Sequence, residues 1–369
     1  MNSSKPKQKP GLITICYLFF EKLKFAFLLF VLTITCLFPA FSQYQADIST
    51  NFKNPDEYIF QYDSVLNVRI NVNSEFDFFE VNGDGFHYDI RPNIKIRNEL
   101  AISYRQINLH FGFTPKFIPG NRESETKGKT NFFSFRFQFF QKHFLQEIQF
   151  AKTSGFYLYN TGDFVPDWNK EKDPYIQFPD LKVKTIRGAT GYKFNPNFSM
   201  QAISMQTERQ LKSCGSVVTF LDYDWFNIDN KSDDPLQQSS QRTNNFAVTG
   251  SLGYLYTFVL GSKFYTSFGV LPGFGFQFTN LLTRTETGES ESKYTDPVFR
   301  IAEKGGIGYS NNKIFTGVEI SLSQAFHKQN NTTVQTKALK SYLQVYFGYR
   351  FKAPRFLKKG TDTLKSYAP

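Results

Sequence analysis

The stretch Asn131–Phe140 limits this chain more tightly than any other. Phe133, Phe135, Phe137 and Phe139 fall on one side of an extended backbone, and Ser134, Arg136 and Gln138 fall on the other. A repeat of two is the period of a β-strand, whereas a helix would scatter the four rings around its circumference. The chemistry of the two faces narrows the choice further. Four phenylalanines opposite an arginine and a glutamine suit a wall with lipid outside and water inside.

The pattern recurs along the chain. Near the C-terminus Leu343, Val345, Phe347, Tyr349 and Phe351 share a face opposite Gln344, Tyr346, Gly348 and Arg350. Leu66, Val68, Ile70 and Val72 oppose Asn67, Arg69, Asn71 and Asn73, and Ile107, Leu109, Phe111 and Phe113 oppose Asn108, His110 and Gly112. Ile314, Thr316, Val318, Ile320 and Leu322 oppose Phe315, Gly317, Glu319 and Ser321. A soluble sandwich also alternates, but its buried face is rarely so uniformly Phe, Tyr and Leu. With 44 Phe and 20 Tyr beside only 3 Met and 2 Trp, composition points the same way, to strands. Spanning helices need roughly 20 apolar residues each, and the mean hydropathy is negative. The expectation is therefore an all-β fold, a single antiparallel up-and-down transmembrane β-barrel of about 12–14 strands.

Domain limits follow from the ends. Lys5, Lys7, Lys9, Lys22 and Lys24 precede an apolar run over residues 25–38, and Ala40 and Ser42 flank Phe41 in the small-residue manner of a cleavage site. Residues 1–42 read as a signal peptide. An uncleaved anchor joining residues 12–20 to 25–38 is the alternative, interrupted by Glu21, Lys22 and Lys24. A polar lead over 43–62, a barrel over 63–351 and a basic periplasmic tail over 352–369 complete the reading. That tail carries Lys352, Arg355, Lys358, Lys359 and Lys365 against Asp362. The expected location is the bacterial outer membrane of a Gram-negative cell, with export through the cleavable signal. The expected partners are outer-membrane lipid and the barrel-assembly machinery.

Connections give a partial topology. Long polar joins at 115–129, 160–180, 228–243, 284–296 and 327–336 alternate with tight ones near Arg105, Gln141, 195–196, 260–263 and 310–313. Long joins on one side and short ones on the other are the rule for such barrels. The two halves do not share parity, so either one strand between Phe198 and Ile228 is miscounted or one long connection lies on the short side.

Few residues carry chemistry. Cys16 and Cys36 lie in the signal segment, so Cys214 stands alone and neither an intramolecular disulfide nor a cysteine metal cluster is available. The four histidines are too far apart for a helical two-histidine metal motif. Gly83-Asp84-Gly85 is turn chemistry without the later ligands of a calcium loop. Asp222, Asp224, Asp229, Asp233 and Asp234 read as solvated loop acids. No dinucleotide or phosphate-loop fingerprint occurs, and the reading includes no metal and no cofactor. Despite a net charge of +11, the basic residues recur singly between apolar positions, which argues against a nucleic-acid partner.

Alternation points Arg69, His110, Arg136, Gln138, Glu319, Gln344 and Arg350 into the lumen. A passive pore or structural barrel with a weak anion preference is the first functional expectation. A barrel-embedded lipid hydrolase or lipid-modifying enzyme, using His110 with Ser103 or Ser134, is a second. An unknown protein partner bound through 160–180 and 228–243 is a third.

Arg91-Pro92-Asn93, Phe198-Ser199 after Asn195, Ala202, and Gln210, Lys212, Ser213, Gly215 and Ser216 together resemble a family of Bacteroidota outer-membrane proteins carrying a domain of unknown function. The resemblance spans about Val65 to Phe351. It implies a barrel and a compartment, with no catalytic residues to carry over. Cys214 stands where a small residue such as Ala is expected. Phe351 is followed by further residues, so an assembly signal at 349–351 is internal.

Overall fold

The computed structural model describes residues 57–75, 79–83, 86–118, 121, 123–230, 239–285, 288–326 and 339–358. The proposed signal segment, most of the polar lead and the end of the basic tail lie outside the described residues. In chain order the strands begin with β1 (Ile59–Gln61), β2 (Val65–Glu75), β3 (Phe79–Gly83), β4 (Phe86–Arg91), β5 (Arg97–Tyr104) and β6 (Ile107–Phe113). They continue with β7 (Asn131–Phe140), β8 (Phe144–Leu158), β9 (Gln177–Lys193), β10 (Glu208–Gln210) and β11 (Cys214–Asp229). The last five are β12 (Ser239–Val259), β13 (Phe264–Thr285), β14 (Gly288–Ser310), β15 (Ile314–Phe326) and β16 (Leu339–Lys352).

Twelve of these form a closed antiparallel wall, β2-β5-β6-β7-β8-β9-β11-β12-β13-β14-β15-β16. Closure comes at β16 and β2, where Val345 opposes Val72 and Tyr349 opposes Val68. Four strands stay outside the wall. The β3–β4 hairpin hangs from the upper end of β8 through Ile90 opposite Leu158. The β1–β10 pair forms a separate two-stranded sheet.

The two-residue alternation determines which side chains face in. Asn67 and Asn71 are 0% exposed, while Ile70 and Phe347 are each 56% exposed. This is the inverse of a water-soluble protein. Phe133, Phe274, Phe276, Phe278, Leu252, Tyr254, Val345 and Phe351 all lie on the outer surface. Covering each large apolar side chain is worth about 1.5–3 kcal/mol, and soluble proteins do not leave a continuous apolar belt uncovered. Glu303 lies on the same outward face as Ile301, and nothing in the structure explains it.

The short turns are tight. β5 and β6 are joined through Arg105, held at φ 50, and Asn311 Oδ1 accepts from the backbone N–H groups of Lys313 and Ile314, 2.8 Å each. At the opposite end the strands differ greatly in height. β5 and β6 have 8 and 7 residues, but β12, β13 and β14 have 21, 22 and 23. A tilted strand needs about 10 residues to cross a bilayer, so one side of the barrel stands well above the other.

Two expectations change here. The stretch 284–296, expected to be a long loop, is mostly strand, with Arg284 opposite Glu289 and Asn280 opposite Lys293. Residues 195–196, expected to be a tight join, instead open a long connection over 194–213 between β9 and β11. Only one wall strand, β11, lies between Phe198 and Ile228. That removes the parity conflict, because the connection belongs to the short-turn end and folds inward.

Candidate functional site

The in-turned connection is built from short polar contacts. Asn195 fastens its start to β11, with its N–H donating to Ser216 Oγ (2.9 Å) and its Nδ2 to Gly215 O (2.8 Å). A single helical turn, α1 (Ser124–Lys127), lies elsewhere, in the β6–β7 connection; a second, α2 (Gln201–Ser204), lies in this segment. Ser199 Oγ accepts the Ala202 N–H at 2.9 Å and donates to Glu208 Oε2 at 2.5 Å. Gln201 Nε2 donates to Glu208 Oε1 at 3.0 Å. β1 crosses to pair with β10, so the residues just before the wall and those between β9 and β11 form one inner body.

That body is seated in the lumen from the short-turn end. Phe198 and Met205 pack with Phe140, Leu145, Val218, Phe220, Leu255 and Leu271 of the wall. Besides the Asn195 bonds to β11, Lys193 Nζ at the end of β9 donates to Phe198 O and the Val259 N–H on β12 donates to Ser213 Oγ (2.9 Å), and three more bonds join the segment's middle to wall strands. Asn67 Nδ2 donates to Met205 O (3.1 Å), Arg350 Nη2 donates to Gln206 O (2.8 Å), and Gln206 Nε2 donates to Tyr265 OH (2.6 Å). The Arg350 guanidinium also lies over the Tyr62 ring, 4.0 Å from its centroid. Burial pushes the Glu208 carboxyl up from its ordinary range, against the lowering effects of the Ser199 hydroxyl and Lys193.

Above this plug the lumen is charged. Glu99 on β5 accepts from Arg136 Nη2 on β7 (2.6 Å), meets His110 Nδ1 on β6, and takes Asn73 Nδ2 at 3.3 Å. His110 Nε2 lies 2.6 Å from Asn108 Nδ2, so the network assigns the imidazole a hydrogen on Nδ1, toward Glu99. Gln138 links the next strand, accepting from Asn108 (2.7 Å) and donating to Glu147 (2.5 Å). Across the lumen Gln344 Nε2 donates to Glu319 Oε2 at 3.0 Å.

A cavity of about 380 Å³ lies between these groups, with Ile203 and Ser204 of the plug at its floor. Its wall carries Arg69, Arg97, Arg136, Arg187 and Lys304 against Glu99, Glu147 and Glu319. Arg69 Nη1, Arg136 Nε, Asn73 Oδ1 and Glu319 Oε1 are buried there without a hydrogen-bond partner. At the long-loop end Tyr88, Phe156, Leu158, Phe178, Leu181 and Val183 form an apolar cluster, joined by Phe164 from the β8–β9 connection.

Of the seven residues that alternation pointed inward, Arg69, His110, Arg136, Gln138, Glu319 and Gln344 line this cavity. Arg350 is separate and holds the plug. Ser103 Oγ donates to Asn108 Oδ1 at 2.8 Å, and Ser134 lies over Gly112. Among the described residues no serine hydroxyl hydrogen-bonds to His110, so the arrangement lacks the nucleophile–base contact of a serine hydrolase. Sequence reasoning did not single out Glu99, Glu147, Arg187 or Lys304. It also missed the plug, although Phe198-Ser199 and Gln210, which build it, lay in the segment carrying the family resemblance.

A family model described as a domain of unknown function (DUF4421) matches residues 54–351. No curated protein matches the sequence. Among solved structures the chain is similar to the COG4313 outer membrane channel from Pseudomonas putida F1, at 10% identity and a TM-score of 0.36, covering 82% of this chain and 100% of that one. It is also similar to the beta domain of the Bordetella autotransporter BrkA, at 9% identity and a TM-score of 0.38, covering 79% of this chain and 100% of that one. The Ralstonia pickettii toluene transporter TbuX gives 8% identity and a TM-score of 0.28 over 81% of this chain and 90% of that one. At such identities the likeness concerns the barrel fold alone.

Proposed function

We propose that this chain, which belongs to that family carrying a domain of unknown function, is an outer-membrane barrel that admits small polar solutes to a charged chamber and bars their passage with its own plug. The signal segment at 1–42 delivers it for export. The apolar belt faces lipid, the long loops face outward and the tight turns face the periplasm, which is the usual orientation of such barrels.

The observation that carries the reading is the seating of residues 194–213 inside the wall. The bonds by which the middle of the segment holds to the wall are those to Asn67, Arg350 and Tyr265, and its other polar bonds to the wall lie near its ends. Its apolar contacts through Phe198 and Met205 are local. A body held this way closes the lumen in its resting state and leaves by breaking a small number of contacts. Arg69, His110, Arg136, Gln138, Glu319 and Gln344 are the residues a passing solute meets.

The test is single-channel conductance of the refolded mature protein in a planar bilayer. The wild type is expected to be closed for most of the record. A variant in which residues 197–209 are replaced by a short Gly-Ser turn is expected to give stable open steps. A folded, plug-deleted barrel that stays silent would overturn the reading.

A further inference from the structure

On the outer wall, Lys152 of β8 and Lys182 and Lys184 of β9 form a basic group that nothing in the lumen explains. All three are exposed. Alternation points them outward, since Leu181 and Val183, on either side of Lys182, are buried with the inner cluster. The register sets Lys152 directly opposite Lys184, and Lys182 opposite Ser154, two residues along. Directly opposed side chains have Cβ atoms about 4.5–5.5 Å apart, and like charges placed so are destabilising.

The surrounding acids do not offset this. Asp229, which opposes Lys182 across β11, is bound by Arg284 at 3.2 Å. Asp180, exposed two residues before Lys182, forms no ion pair with the three among the described residues. The chain therefore holds three neighbouring ammonium groups at a cost it could avoid, which points to an anion supplied from outside.

Height on the wall identifies the source. Phe133 opposes Lys152 on the other side and is 50% exposed; Phe150 opposes Ile186, 46% exposed, one step below the lysines. The lysines thus sit at the upper edge of the apolar belt, on the long-loop side, as β8 climbs from its tight turn at 141–143. In the proposed orientation that edge meets the headgroups of the outer leaflet.

We propose that Lys152, Lys182 and Lys184 bind the phosphate of a phosphorylated glycolipid of the outer leaflet, with its acyl chains lying on Phe133, Phe150 and Ile186. The proposal rests on the outer-membrane reading above and adds a specific lipid partner to it. Generic snorkelling of interfacial lysines differs in one respect: it needs no phosphate on the lipid and no particular grouping of the charges.

The test uses the full mature chain in detergent micelles, titrated with diphosphorylated lipid A and followed by native mass spectrometry and thermal unfolding. The Lys152→Gln/Lys182→Gln/Lys184→Gln variant is expected to bind at least tenfold more weakly. A Lys263→Gln/Lys313→Gln control, which removes charge from the opposite rim, is expected to bind like wild type. Lipid A without phosphates is expected to bind wild type no better than it binds the triple variant. Should the triple variant fail to show the heat-modifiable migration of a folded barrel, Lys152→Gln/Lys184→Gln takes its place. Equal binding by wild type and a folded variant, or equal binding of phosphatidylglycerol and lipid A, would overturn the site. Fractionation of the wild type decides the other reading, because a chain absent from the outer membrane removes that assignment whatever the titration gives.

Discussion

Replacing Arg350 with Met tests the plug at one bond. Met keeps an apolar stem against Tyr62 and Phe315 but deletes the donor to Gln206 O, which is 2.8 Å from Nη2. The guanidinium's remaining bonds run to Asn311 O at 2.5 Å, Ser310 Oγ at 3.0 Å and Ile314 O at 3.5 Å, all at the β14–β15 turn, so they stiffen the rim and do not themselves seat the plug. A hydrogen bond from a charged donor contributes about 1.5–3 kcal/mol. Taking about 2 kcal/mol for the plug-facing bond, and tenfold per 1.4 kcal/mol, the open-to-closed ratio rises roughly 30-fold. Asn67→Ala, which removes a neutral donor to Met205 O at 3.1 Å, is worth about 1 kcal/mol and roughly fivefold by the same reasoning. The assay is open probability in a planar bilayer, with limited proteolysis of 194–213 as a second readout. If Arg350→Met leaves both unchanged while the plug-deleted barrel conducts, the plug is held by its apolar packing and the polar seating argument fails. An Asn67→Ala effect larger than that of Arg350→Met would refute the ranking.

Four further outcomes follow from the same geometry. The Glu208 carboxyl is raised by burial in the seated plug, so its stabilising contribution is complete below the ordinary carboxylate value of about 4.3 and is lost as pH climbs through the raised one. Open probability should rise across that window and level off above it, and Glu208→Gln should flatten the profile; conductance recorded against pH checks both. Glu99→Gln leaves Arg136 and His110 without their shared carboxylate and should destabilise the barrel by about 3–5 kcal/mol, read as a lower temperature for loss of heat-modifiable migration. Phe347→Arg, on the exposed outer face, should cost about 2–4 kcal/mol in vesicle refolding equilibria, whereas Phe347→Leu should cost far less. Gly155→Ala should slow or block assembly, because φ is +83° and an added Cβ would lie 2.1 Å from Lys129 O; in vitro folding yield measures it.

The wall was legible where neighbouring residues alone carry the signal. β7 and β16 state their two faces in consecutive letters, and their inward sets need no knowledge of a partner. β5 contains the same information, with Arg97, Glu99, Ala101 and Ser103 inward. Yet Glu99 becomes a hub only when β6 and β7 bring His110 and Arg136 beside it. Glu303 and Lys304 are adjacent in sequence, so only the register shows that Lys304 faces the cavity. The tops of β13 and β14 were hidden for a compositional reason. Thr283, Arg284, Glu289 and Ser290 look like loop residues, but they pair across a hairpin standing above the belt. The plug was the least legible part. Its strands are three residues long, too short for periodicity, and nothing local makes a polar connection turn inward.

The size of the barrel and the orphaned polar atoms have a common cause. Eight strands enclose an interior that side chains can fill, and twelve enclose more than that. Part of the excess is taken by the segment over 194–213, and part is left as the cavity of about 380 Å³. A buried polar atom without a partner costs about 1–3 kcal/mol. Arg69 Nη1, Arg136 Nε, Asn73 Oδ1 and Glu319 Oε1 all lie on the cavity wall, so leaving them dry would cost several times that. Water admitted to the chamber, as the proposed function requires, would supply their partners. In the proposed function the chamber exchanges with the long-loop side, because the plug is seated at the other end. On that reading, admission and passage are governed by different groups. On the proposed function, solutes would reach Arg69 and Glu319 without any movement of the plug, and their transfer to the periplasm would depend on the bonds made by Asn67, Arg350 and Tyr265. Mutations in the chamber should therefore change which ions pass, and mutations at the seat should change how often any pass.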